Sequence, residues 1–278
     1  MIRRGMTAGI ALLAAAALAS AQTATARLHW QAGQVLTYRV EQVTIASDVV
    51  GDSKAETKTK LNLIKRWQVI SVDAAGAATL QLSLAMLRLE TNTPGGDKLL
   101  FDSASPDKNT PELREQLSGY IGKPLALLRV DNQGRVLEVK ESKFGPATRY
   151  ENELPFVGVL PADGPKDGQE WQRDYKITLE PPSGTGEKYD AVQKYVCKSA
   201  ADGLAVATMT TDLKTPPAVA EQAPLLQLLP AGEVVFDMKA GRLKSASLKI
   251  DKEVKGHQGE GSSYHVQVTY NEEYIGDR

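Results

Sequence analysis

The sequence predicts a mainly β, antiparallel protein built as two loosely repeated halves that form a curved sheet, an open barrel or a sandwich with one or two short helices. Apolar residues alternate with polar ones: Leu61, Leu63, Trp67 and Val69 share one parity, as do Leu80, Leu82, Leu84 and Met86, and Tyr264, Val266, Val268 and Tyr270. Their neighbours, among them Lys60, Asn62, Gln81 and His265, are mostly polar. Such period-two patterning marks strands with one wet face. Turn residues punctuate the runs at short spacing, as hairpin-rich folds require.

The same order of signals occurs twice. Gly33-Gln34 opens a strand with Leu36, Tyr38 and Val40 on one face, and Gly168-Gln169 opens one with Trp171, Tyr175, Ile177 and Leu179 on one face. A turn follows in each half, Asp73-Ala74-Ala75-Gly76 and then Ala201-Asp202-Gly203. Each half closes on a hairpin, Val130-Asp131 with Gly134-Arg135 matching Phe236-Asp237 with Gly241-Arg242. Matched order with shortening loops is what a diverged duplication leaves behind.

Along the chain, residues 1–26 come first. Arg3 and Arg4 precede the apolar stretch Ile10 to Leu18, and small residues follow at Ala19-Ser20-Ala21 and Ala24-Thr25-Ala26. This is the layout of a secretory signal peptide, cleaved after Ala21 or Ala26. The stretch is shorter than the ~20 residues of a spanning helix, so no membrane span is expected after its removal, and a periplasmic or secreted location is predicted. The mature chain divides into an N-terminal β half, 27–150, and a connector plus C-terminal β half, 151–278, packed against the first.

In the first half, Thr110-Pro111-Glu112 with Leu113 and Leu117 supplies a cap residue, a first-turn proline and a carboxylate near the positive helix end, which predicts one short helix. Dense glycine and proline from Phe144 to Asp167 mark a connector, whose apolar run Leu154 to Pro161 is expected to lie against the body. In the second half, Ala218 to Leu229 reads as a helical turn or irregular lid cut by Pro224. Cys197 is the only cysteine, so no intramolecular disulfide can form, and its strand-like surroundings make it a small buried hydrophobe.

Composition narrows the function. With 33 Lys+Arg against 34 Asp+Glu the chain lacks the basic surplus of a nucleic-acid binder. Lys54, Lys58, Lys60, Lys65 and Arg66 form a basic run offset by Asp52 and Glu56, which is expected to be a solvated strand. The pairs Glu272-Glu273 and Asp251 with Glu253 read as charges on edge strands, where they discourage aggregation.

The opener Gly33 to Val40, the step Phe101-Asp102-Ser103, the segment Leu117 to Lys123 and the junction Leu160-Pro161 with Gly168 to Trp171 together resemble an uncharacterised family of exported β-rich proteins of planctomycete-type bacteria. The resemblance implies export and a β-rich fold, and brings no catalytic residues. The layout is also similar to that of periplasmic lipid carriers of the lipoprotein-localisation type, in which a curved sheet shelters an acyl chain under helical lids.

No convergent catalytic set and no cofactor motif is visible. The histidines are His29 at the start of the mature chain, His257 in a glycine-rich turn and His265 on the polar parity of its strand. A metal-assisted hydrolase using His257, Glu260 and His265 is one alternative. The Asp48–Asp52 and Asp102–Asp107 pairs lack the spacing of a calcium loop. What remains is apolar sequence flanked by prolines. Phe156 and Val159 in the connector, with Leu225, Leu226, Leu228 and Leu229 in the second half, either plug the fold or present a surface to a ligand. The expectation is an exported, monomeric, non-enzymatic protein that binds an apolar ligand or a cell-envelope partner. A purely structural envelope module is the remaining alternative.

Overall fold

A computed structural model describes residues 27–152 and 158–277; residues 1–26, where the sequence predicts a signal peptide, and Phe156 lie outside these. The described chain forms one antiparallel sheet: β1 (Val35–Val50), β2 (Ser53–Val72), β3 (Ala78–Asn92), β4 (Lys98–Asp102), β5 (Pro124–Val130), β6 (Val136–Ser142), β7 (Glu170–Leu179), β8 (Glu187–Ala201), β9 (Leu204–Leu213), β10 (Ala231–Asp237), β11 (Arg242–Lys255) and β12 (Ser263–Gly276). Two short helices interrupt it, α1 (Pro111–Leu117) and α2 (Val219–Leu226). Across the sheet the order is β6-β5-β3-β2-β1-β12-β11-β10-β9-β8-β7, with β4 pairing the far part of β3.

Each half lays its strands down in the same direction, and β12 is inserted between the halves against β1 and β11. The two openers are held alike. Gly33 N donates to Val69 O and Val69 N to Gln34 O, both at 2.8 Å; Gly168 N donates to Cys197 O and Cys197 N to Gln169 O, both at 2.9 Å. The sheet is not closed, but it curls. One apolar cluster joins Leu36 and Tyr38 of β1, Trp67 of β2 and Leu128 of β5 to Tyr195 of β8, Phe236 of β10 and Leu248 of β11. Burying such side chains contributes about 1.5–3 kcal/mol each, which favours a curled over a flat sheet.

The segment before β1 ties the two halves together. Leu28 N donates to Asn132 O and His29 N to Gly241 O, each at 2.8 Å. Both turns need glycine: at Gly134 (φ +92°) a Cβ would lie 3.2 Å from Leu28 Cδ1, and at Gly241 (φ +63°) 2.6 Å from His29 N. His29 is therefore fixed through its backbone.

Three expectations change. The parity that groups Met86 with Leu80, Leu82 and Leu84 breaks at a β-bulge: Lys65 pairs Leu84 while its neighbour Ile64 pairs Met86, so Met86 faces the other side. Asp251, Glu253, Glu272 and Glu273 are not on edge strands, because β11 and β12 lie in the middle of the sheet. Lys65 leaves the solvated basic run altogether: its Nζ lies 3.0 Å from Glu272 Oε1, with side-chain exposures of 3% and 0%. Cys197 is buried as expected, and burial first, then the charge of Asp167, pushes its thiol pKa up.

Candidate functional site

Prolines bound α2 on both sides, Pro216-Pro217 before and Pro230 after, and Pro224 sits inside it. Its N-cap residue Ala218 makes no side-chain capping bond. A helix this short, interrupted and poorly capped is held by packing rather than propensity. The packing is two-sided. Leu225 and Leu229 lie on Ile177 and Leu179 of β7 and Ala191 of β8, whereas Leu226 lies on Ile250 and Val254 of β11 and Val266 of β12. α2 is thus a wedge between two parts of the curled sheet.

Where the wedge ends, a cleft of about 400 Å³ opens between the chain after α2, the edge strand β7 and the 3₁₀ segment Ala147–Asn152. Tyr175, Ile177 and Leu179 give it an apolar wall, and Leu228 and Pro230 an apolar roof. Arg149, Glu180 and Ser183 supply polar groups, and Gln193, only 1% exposed, closes the interior. A mostly apolar concavity with a few placed polar groups is the usual form of a small-molecule site.

Glu180, Arg149 and Gln193 are each held by a neighbour. Thr148 Oγ1 donates to Glu180 Oε1 at 2.9 Å, and the Arg149 guanidinium lies 5.0 Å from the centre of the Phe144 ring. Tyr195 Oη donates to Gln193 Oε1 at 3.1 Å. Burial raises the Tyr175 hydroxyl to about 12, and the Arg173 guanidinium stacked on its ring, 4.7 Å away, only partly offsets this. Burial also lowers the pKa of Arg173, whose Nη2 donates to Glu151 O at 3.1 Å.

The apolar residues singled out in the sequence are therefore divided. Leu225, Leu226 and Leu229 are buried as the plug, and Leu228 alone, 36% exposed, borders the cleft. Val159 is 2% exposed and its carbonyl accepts from Trp171 Nε1 at 2.7 Å, so it seals a different stretch of β7. Tyr175, Ile177, Leu179, Arg149 and Glu180 were not singled out as site residues. The shared parity of the first three along β7 was the available signal; nothing in the sequence flags the last two.

The metal alternative is not assembled. His257 Nε2 lies 3.1 Å from Asp48 Oδ1, whereas His265 Nε2 lies 2.7 Å from Asp251 Oδ1. The rings of His257 and Tyr264 are 6.1 Å apart, and successive residues of a strand face opposite ways, which turns His265 to the other side of the sheet. Glu260 is exposed in the turn. Among the described residues no group of three or more His, Cys, Asp or Glu is placed to hold a metal ion. No described helix is long and apolar enough to cross a membrane.

No family model matches the chain, and no curated protein matches it. Among solved structures, one of lipovitellin concerned with lipid–protein interactions is similar over 89% of this chain and 26% of its own, at 13% identity and a TM-score of 0.48. DynF from the dynemicin biosynthesis pathway of Micromonospora chersina is similar over 92% of this chain and 88% of its own, at 10% identity and a TM-score of 0.24. This chain spans about a quarter of the lipovitellin chain, and neither likeness assigns it a family.

Proposed function

We propose that this is an exported, non-enzymatic binding protein that holds an apolar ligand in the cleft between α2 and β7. The observation that carries the reading is the junction itself: an apolar wall from Tyr175, Ile177 and Leu179 stands beside Leu228, an apolar side chain left exposed after a helix secured only by packing. A ligand chain lying there removes Leu228 from water, and that burial favours binding. The leader-like sequence of residues 1–26 supports export, and the matched strand order and opener hydrogen bonds support descent of the halves from one duplicated unit.

Displacement of the dye N-phenyl-1-naphthylamine from the mature protein by single-chain amphiphiles tests the reading. Binding that falls at least fivefold in Leu228→Asp, with the melting temperature kept, is expected. A protein that takes up neither dye nor amphiphile would remove the proposal.

A further inference from the structure

The rim of the cleft carries two opposite charges that do not neutralise each other. Glu180 is held by the Thr148 hydroxyl at 2.9 Å, and Arg149 by the Phe144 ring at 5.0 Å. Neither forms an ion pair with the other or with another described residue, and Arg149 is exposed while Glu180 is half-buried. Elsewhere partly exposed acids and bases do pair, as in Lys176 with Asp190 at 2.6 Å and Arg129 with Asp73 at 2.6 Å. Two anchored charges at an apolar cleft, each without an ion-pair partner among the described residues, define a site for a head group that brings one charge of each sign.

We infer that the ligand is a single-chain amphiphile with a zwitterionic head, its anionic group against Arg149, its cationic group against Glu180, and its chain along Tyr175, Ile177, Leu179 and Leu228. This rests on the proposed binding role of the cleft and adds the class of ligand. A volume of about 400 Å³ lies near the small end of ligand pockets, which suits one chain rather than two. A purely anionic head would meet Arg149 but be repelled by Glu180, and a purely cationic one the reverse. An uncharged head would leave both side chains with water alone.

The test uses three probes of equal chain length below their micellar concentrations: dodecylphosphocholine, laurate and dodecyl maltoside, titrated by calorimetry into the mature protein. Dodecylphosphocholine should bind the tightest. Arg149→Ala and Glu180→Gln should each weaken it threefold to tenfold while leaving dodecyl maltoside unchanged. Glu180→Gln keeps an acceptor for Thr148, so its effect reports charge and not the loss of that hydrogen bond. Equal binding of all three probes, or a dodecylphosphocholine affinity unmoved by both substitutions, would overturn the zwitterionic head and leave the apolar site standing. Binding of none of them would overturn the site and the head-group inference together.

Discussion

The two halves of the sheet place their strands alike and differ in what occupies corresponding positions. Both carry one buried polar side chain on their second strand, two residues before the inward-facing aromatic Trp67 or Tyr195: Lys65 on β2 and Gln193 on β8. Gln193 is neutral and is met by a hydroxyl on its own strand, that of Tyr195. Lys65 is a charge, and its counter-ion Glu272 comes from β12, the strand that has no counterpart in the other half. A buried ammonium is tolerated only with a close, well-placed partner, so the extra strand makes lysine possible at a position where the other half uses an amide. The helices diverge as well. α2 buries Leu225 and Leu226 inside the curl, whereas α1 buries no residue and lies chiefly against the outlying β4 and the turn that follows it.

The largest expected effect breaks the charged half of this comparison. Lys65→Ala leaves Glu272 buried without its ammonium and should cost about 3–5 kcal/mol in urea unfolding, while Lys65→Met with Glu272→Leu should recover most of it. Gln193→Leu removes one acceptor of the Tyr195 hydroxyl, which also meets the Val159 backbone, and should cost less, about 1–3 kcal/mol. Equal losses at the two positions would abolish the distinction between them.

The helices give the next effect. Leu225→Ala opens a cavity between α2 and β7–β8 and should destabilise by about 2–5 kcal/mol, whereas Leu113→Ala in α1 should cost about 1 kcal/mol or less. A large loss at Leu113 would give α1 a structural weight that its packing does not.

Alkaline pH produces the smallest and most local effect. The Tyr175 hydroxyl has a folded pKa of about 12 against an ordinary value of 10, so the folded state favours its neutral form. That contribution is complete below pH 10 and is lost as the pH rises from 10 through 12. Tyr175→Phe should therefore flatten the fall of stability above pH 10, read from melting temperatures between pH 9 and 11.5.

Much of the fold was legible locally. Alternation in β2 and β12, the turn chemistry of the matched hairpins and the proline-started helix at Thr110 each depend on residues within one or two turns of chain. The limits of that legibility are instructive at Lys65 and Glu272. Lys65 shares the odd parity of Leu61, Leu63 and Trp67, and Glu272 the even parity of Val266, Val268 and Tyr270, so both were marked as inward-facing by their neighbours. Their charge points to solvent instead, because a lone ion is too costly to bury and the partner lies more than two hundred residues away in sequence. For the site, the parity of Tyr175, Ile177 and Leu179 was visible, but the approach of Arg149 and Glu180 to the same opening was not.

The sequence by itself determined which residues form strands, where the chain turns and which face of each strand is apolar, since these follow from side-chain alternation and the backbone freedom of glycine and proline over a few residues. The tertiary structure alone decided that β12 returns to lie between β1 and β11, that Glu272 thereby reaches Lys65, and that α2 fills the curl with Leu225 and Leu226 while leaving Leu228 at an open cleft. Pairing between distant strands depends on how whole faces fit once the chain has collapsed, and no local pattern records that fit.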